Sequence, residues 1–260
     1  MDPDGKNQRL EAQGLRNAVD IQQVPEIDNG AIFATNMGDD HLGDKLPEDT
    51  FFKLAVGANP ALNYGWPTCY FASGKPFLDK TPLPTLDDAR TAGKTAAKPA
   101  PPETASKDSV YGQQKDVAAA GTNLAAGGGH HAVDPNVNLG KAPTPLQSCD
   151  KVPSAYTTFA AHSSPLGFAY FSNQDSALPD TFLVALHGAS HPRIGKGYKV
   201  VRFSSADRKP RDFLTGFLTV QNGKAVVHGR PCAILRLDQD TFLLSDDYLG
   251  LVYYIHGRNK

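Results

Sequence analysis

The chain has 260 residues, enough for one large domain or two ordinary ones. Its 26 Lys+Arg and 27 Asp+Glu residues leave a formal net charge of -1, which speaks against a broad basic face for nucleic acid. No apolar run reaches the length of a membrane span, and the opening "MDPDGKNQRL" lacks the apolar core of a signal peptide.

The first distinctive stretch is "GLRNAVDI" (14–21). It sets Arg16 and Asn17 behind a glycine and ahead of an alternating apolar run, at the mouth of an expected strand. The preceding "DPDGKN" (2–7) has the look of a calcium loop. It lacks the downstream glutamate of an EF-hand and reads as an Asp-Gly turn. Strand signals follow at "AIFATN" (31–36) and "FFKLAVG" (51–57), short and rich in aromatic and β-branched residues.

There are 3 cysteines. Cys69 and Cys149 bracket a long polar segment. A bond between them would close a large loop, worth about 4–5 kcal/mol in the chain-entropy model, and would require an oxidising compartment. Two free thiols in a reducing cytosol are the alternative. Cys232, inside "PCAILRL", reads as a small core residue.

From residue 74 to 154 the strand pattern stops. "KTAAKPAPPETASKD" and "AAAGTNLAAGGGHHAVDPN" cannot bury enough apolar surface to offset their ordering entropy, so this stretch reads as a long, partly disordered low-complexity insertion. The adjacent histidines of "GGGHH" give little reason to expect a metal. Strand signals resume at 165–172, 181–188, 197–203, 213–220, 232–237, 241–247 and 251–256, punctuated by "LPD", "QNG" and "DQD". No helical period of useful length intervenes.

The chain therefore reads as all-β. Its C-terminal rhythm of strand, turn and strand suits radially arranged four-stranded sheets, the blades of a β-propeller. One blade is expected over 168–220, three strands of another over 232–256, and one more in the N-terminal third. The expected organisation is an N-terminal blade region (1–73), the insertion (74–154) and C-terminal blades (155–260).

An ordered series of motifs carries a family resemblance: "GLRNAVDI", "ATNMGDDHLGDKLPED", "NYGWPTCY", "AHSSPLGFAYF", "LPDTFLVALHGASHPRIGKGYKVVRF" and "GRPCAILRLDQDTFLLSDDYLGLVYYI". Together they resemble the glucose/sorbosone dehydrogenases, soluble aldose dehydrogenases that use pyrroloquinoline quinone on a six-bladed β-propeller. The resemblance implies the C-terminal portion of such a propeller, about three to four blades. It also implies a periplasmic or extracellular location, an aldose or sugar-derived substrate, and an electron acceptor such as a cytochrome.

The resemblance further implies site residues. Arg16 and Asn17 would donate hydrogen bonds to the quinone oxygens, where charge accumulates on reduction. Backbone carbonyls of Gly38 and Asp39 would bind Ca2+, a hard cation that accepts six to eight oxygen ligands. Arg230 would hold a cofactor carboxylate, helped by Arg193 or Lys196. Arg193 matches the family's Asn-Arg segment, with Pro192 in place of the asparagine. Glu48 and Asp49 resemble a further calcium pair, although their loop differs in length, and they read more simply as part of a solvated acidic loop.

Oxidation of a sugar hydroxyl needs a general base. The family's catalytic histidine precedes the "GLRN" motif, and no residue here matches it. His162, His187, His191 and His228 lie in later motifs and take no catalytic role by position. The chain alone is therefore expected to be weak or inactive as an oxidoreductase. The rival reading is a non-catalytic propeller lobe that binds a sugar or a protein. A calcium-dependent lactonase on a similar propeller would need inward carboxylates, for which Glu48, Asp49 and Asp246 are too weakly patterned.

Overall fold

The computed structural model describes residues 9–40, 42–80 and 146–257. The chain separates into two units, Met1–Asp79 with Leu139–Lys260, and Lys80–Asn138; everything below belongs to the first. The "DPDGKN" turn, the "GGGHH" run and most of the low-complexity stretch lie outside the described residues.

After the short β1 (Ala12–Gln13), strands β2 (Ile21–Val24), β3 (Ala31–Asn36) and β4 (Asp49–Leu54) run antiparallel. The chain then leaves this sheet. β5 (Leu62–Asn63) pairs in parallel with β1, and β6 (Cys69–Ala72) turns into β7 (Lys75–Leu78). β8 (Thr157–Phe159) returns to the edge of β4 and completes a four-stranded blade, β2-β3-β4-β8. The strand β7 and the buried Cys149 and Val152 fall within the stretch expected to be low in structure.

The second blade is β9 (Pro165–Phe171), β10 (Thr181–Leu186), β11 (Lys199–Phe203) and β12 (Arg211–Leu214). The expected strand at 213–220 is in fact two pieces. β13 (Leu218–Gln221) belongs to a separate hairpin with β14 (Lys224–Val227), closed by Asn222-Gly223. Both turn residues have positive φ, which suits a two-residue hairpin loop. The third blade has three strands, β15 (Pro231–Arg236), β16 (Thr241–Asp246) and β17 (Leu251–His256). The fold is a partial β-propeller, as expected.

Strand alternation builds the seams between blades. β10 is buried at all six positions. Its Phe182, Val184 and Leu186 face the first blade, where they meet Phe33 and Phe51. Its Leu183 and Ala185 face the third, where they meet Ile234, Phe242 and Leu244. One strand thus serves two seams because successive side chains point to opposite faces. Phe51 and Phe168 pack edge to face with centroids 4.9 Å apart, and Phe182 and Phe203 stack at 5.1 Å. Each such ring removed from water contributes about 1.5–3 kcal/mol.

The inner strands approach closely. A Cβ at Gly167 on β9 would lie 2.7 Å from the Cα of Ala233 on β15, so only glycine admits the third blade here. On the other side Thr35 donates to the Leu166 carbonyl, while Gln22 donates to that of Phe168. The far face of the first blade is covered by a third cluster, in which Phe52 packs with Tyr64, Cys69, Phe71, Cys149 and Val152. The Cys69–Cys149 disulfide closes it, with Cα atoms 6.0 Å apart.

Cys232 departs from its expected core position. It is half-buried, because the outward face of the third blade has no covering layer among the described residues.

Candidate functional site

The conspicuous polar groups lie on the loops that join the blade strands. Asn17 forms an isolated bridge to Met37, and its N–H donates to Asn36 Oδ1. That bridge holds the "RN" pair against the loop after β3. Arg16 donates from Nη1 to the Gly38 carbonyl at 2.6 Å and from Nη2 to Asp40 at 2.8 Å. Its guanidinium lies 5.6 Å from the ring centre of Trp66, within cation–π range. The Arg16 side chain is 24% exposed, against 64% for Asp40, so the cation is held by its surroundings more than by that ion pair. Among the described residues the Asn17 amide donates to the weak acceptor Met37 Sδ alone.

Gly38 is required by close approach. A Cβ there would come within 2.6 Å of the Pro47 ring. Arg16, Gly38, Asp39 and Trp66 share a small cavity of about 30 Å³, room for about one water molecule.

Asp49 organises this loop. It is 3% exposed, not solvated as the sequence suggested, and Glu48 beside it is tied to the Gly74 N–H. The physical reason is position: Asp49 opens β4, and its side chain turns in to cap two loops. Its carboxylate accepts the Gly38 N–H at 2.7 Å and the Ser164 N–H at 2.8 Å. Burial pushes the Asp49 carboxyl up to about 6, against the lowering effect of those N–H bonds.

The 162–164 loop touches the same assembly. His162 has a ring nitrogen 2.8 Å from the Gly43 carbonyl, and its other ring nitrogen is 3.6 Å from Asp40. The next loop follows on: the N–H groups of His187 and Gly188 donate to the Ser164 and Ser163 carbonyls. Arg230 grips that loop from the third blade. Its Nη2 donates to the Gly188 and Ala189 carbonyls at 2.6 and 3.2 Å, and its Nε to that of His187 at 3.3 Å. The guanidinium lies 5.4 Å from the Tyr198 ring centre. Nε and Nη2 are thus both engaged, and among the described residues no hydrogen bond from Nη1 accompanies them. His187 also meets Asp247 at 2.8 Å.

Arg193 sits on the 3-10 turn Pro192–Ile194, 73% exposed and 3.6 Å from Asp44. Lys196 follows, also exposed. The structure thus threads the expected residues along one continuous loop surface. Arg16 reaches residues 38–40, Arg193 reaches Asp44, and Arg230 holds 187–189. It does not gather them in one cavity: the pocket at Arg16 contains Gly38 and Asp39, and not Arg193, Lys196 or Arg230. Sequence reasoning missed the placing of Trp66 over Arg16, and the parts of Asp49 and His162. "NYGWP" marks Trp66 only as a loop residue, and the partners of Asp49 and His162 are far away in the chain.

The arrangement defines a class first: a segment of a β-propeller with a polar loop surface at the blade ends. Two solved structures share its fold. One is the holo form of the pyranose dehydrogenase PQQ domain from Coprinopsis cinerea, at 17% identity and TM-score 0.54, covering 97% of this chain and 56% of that one. The other is an iodide structure of a Trichoderma reesei carbohydrate-active enzyme of family AA12, at 16% identity and TM-score 0.51, covering 94% and 53%. At these identities the likeness is one of fold. It agrees with the resemblance read from the ordered motifs. The chain spans about half the length of these solved structures. No protein-family profile matches the sequence, and no curated protein does.

Proposed function

We propose that this chain is the C-terminal part of a quinone-dependent aldose or sorbosone dehydrogenase and forms part of its cofactor surface. The observation that carries the reading is Arg16. A half-buried guanidinium stands over the only tryptophan, with a weakly engaged amide at Asn17 beside it. That set suits a flat anionic group, since a cation and an amide N–H meet oxygens while an indole offers a stacking face. The small cavity at Arg16 does not enclose such a group, so the loop surface would form one side of its site. When bound, pyrroloquinoline quinone supplies the hydride acceptor for a sugar hydroxyl.

In this reading Arg16 and Asn17 orient the quinone oxygens. Arg230, through Nη1, and Arg193 or Lys196 meet its carboxylates. Arg230 also keeps the 187–189 loop in place, so its role is partly positional. Ca2+ at the Gly38 and Asp39 carbonyls fits less well. The Gly38 oxygen is directed at the Arg16 guanidinium, and no group of three or more His, Cys, Asp or Glu among the described residues could hold a metal. No step is assigned to the metal. The disulfide supports a periplasmic or extracellular location, and among the described residues no helix is long and apolar enough to cross a membrane.

The test is titration of the purified chain with pyrroloquinoline quinone, with and without calcium, read by Trp66 fluorescence. We expect saturable quenching in the wild type and its loss in Arg16→Ala with far-UV circular dichroism unchanged. Equal quenching of both proteins, or none in either, would overturn the assignment. Dye-linked aldose oxidation by the chain alone is expected to be weak or absent; rapid turnover would contradict the placing of the proton acceptor outside this sequence.

A further inference from the structure

Arg230 is held from three sides. Asp246, buried at the end of β16, accepts the Arg230 backbone N–H at 3.0 Å together with those of Tyr248 and Leu249, which fixes the chain just ahead of β15. The carbonyls of His187, Gly188 and Ala189 take Nε and Nη2. The third holder is Tyr198, whose ring centre lies 5.4 Å from the guanidinium, within cation–π range.

Tyr198 occupies that place under strain. It is 3% exposed, and its φ of 55° lies in the left-handed region, which bulky residues seldom adopt. Such strain persists only where the surroundings impose it, and it gathers at functional sites. Here two glycines impose it. A Cβ at Gly188 would come within 2.5 Å of the Tyr198 ring, and one at Gly197 within 2.4 Å of the Gly188 Cα. The two loops therefore press together with no side chain between their backbones, and the Ala189 N–H joins them by donating to the Lys196 carbonyl at 3.2 Å. The Tyr198 hydroxyl donates to the Ala189 carbonyl, the same oxygen that accepts Arg230 Nη2. One side chain thus lies against the guanidinium and also fixes an acceptor of its hydrogen bonds. A phenylalanine would fill the space; the hydroxyl adds direction. Arg16 is held by the same two devices, an indole at 5.6 Å and a loop carbonyl at 2.6 Å.

We propose that Tyr198 is a positioning residue for ligand recognition. It presets the Arg230 guanidinium so that Nη1, which has no hydrogen bond among the described residues, receives a carboxylate of the bound group without reordering the side chain. A long side chain immobilised before binding loses less freedom when the ligand arrives, and that difference appears as affinity. This role rests on the cofactor reading and deepens it: preference for a carboxylated quinone belongs to the Tyr198–Arg230 pair.

The test compares pyrroloquinoline quinone with its trimethyl ester, which keeps the ring system and loses the carboxylate charges. Quenching of Trp66 gives both dissociation constants for the full chain. Wild type should prefer the acid by at least about tenfold, the effect of one charge-assisted bond. Tyr198→Phe keeps the ring and should lower that preference about threefold. Tyr198→Leu should lower it to the level of Arg230→Ala, and the double variant should fall no further, because one residue acts through the other. Far-UV circular dichroism checks each fold, and Tyr198→Phe carries the test if Tyr198→Leu folds poorly. A merely structural residue would weaken acid and ester alike and leave their ratio unchanged. That result, or a double variant below either single one, would overturn the role of Tyr198 while the cofactor reading stands. Equal affinity of the wild type for acid and ester would also overturn it. Failure of the wild type to bind the acid at all would overturn the cofactor reading, and this role with it.

Discussion

Phe51 and Asp49 lie two residues apart on β4 and show how differently the two regions of this molecule are held. Phe51 is fully buried in the seam between the first two blades, against Phe33, Phe168, Phe182 and Phe203. Asp49 is almost as buried, yet it lies at the strand's mouth, where its carboxylate ties two loops together through backbone N–H groups. The seam is made of apolar area and tight packing, which reward burial without direction. The loop surface is made of carbonyls, guanidinium groups and one buried acid, which reward orientation. The difference teaches that the loop surface depends on the seams for its position, while its own polar contacts hold the loops to one another.

The sharpest way to break the comparison is Phe51→Ala. Removing a ring from a packed aromatic cluster should destabilise the fold by about 3–5 kcal/mol, measured by urea unfolding. A loss below about 1 kcal/mol would mean that the seam is not the main source of stability.

Asp49 sharpens the contrast through pH. Burial keeps a proton on its native carboxyl up to about pH 6, against 3.8 for an ordinary aspartate. The contribution of Asp49 to folding is therefore fully present below about pH 4, where both states are protonated, and is lost as pH rises through about 6. A gap of this size corresponds to about 3 kcal/mol. Asp49→Asn removes the titration and replaces one acceptor with a donor facing either the Gly38 or the Ser164 N–H. The stability of wild type relative to this variant should therefore fall between pH 4 and pH 7, by up to about 3 kcal/mol. Parallel urea midpoints across that range would count against the raised value.

The smallest expected effects separate two arginines on the same loop surface. Arg230→Ala removes three bonds to the 187–189 carbonyls and a cation from Tyr198, and should lower stability by about 1–3 kcal/mol. Arg193→Ala removes an exposed charge from a loose pair with Asp44 and should fall within about 0.5 kcal/mol of wild type. Thermal or urea unfolding distinguishes them; equal losses would erase the distinction between a positioning arginine and a surface one.

Much of the fold was legible locally. Short aromatic and β-branched runs bounded by turn residues mark β3, β9, β10, β11, β15, β16 and β17 with few errors at their ends. The misses share a cause. β8 has three residues, and β6 and β7 have four each, too short for a period of two to stand out. At 213–220 the apolar run continues while the chain changes sheets, and a run of residue types does not record which neighbour each strand finds. The site was legible in part. Arg16, Asn17, Gly38 and Asp39 stand in recognisable motifs. That Arg16 would rest over Trp66, and that His162 would reach the loop holding Arg16, depends on residues tens to more than a hundred positions apart.

By itself the sequence determined the all-β class, most of the longer strands, many of the turns between them and the ordered motifs, because each follows from local propensity and short-range pattern. The tertiary structure alone decided that Asp49 is buried and that Arg230 serves a backbone loop. Those facts arise where blades meet side by side. Packing brings distant segments within a few ångströms, and burial then sets which side chains are caps, which are ligand donors and which face water.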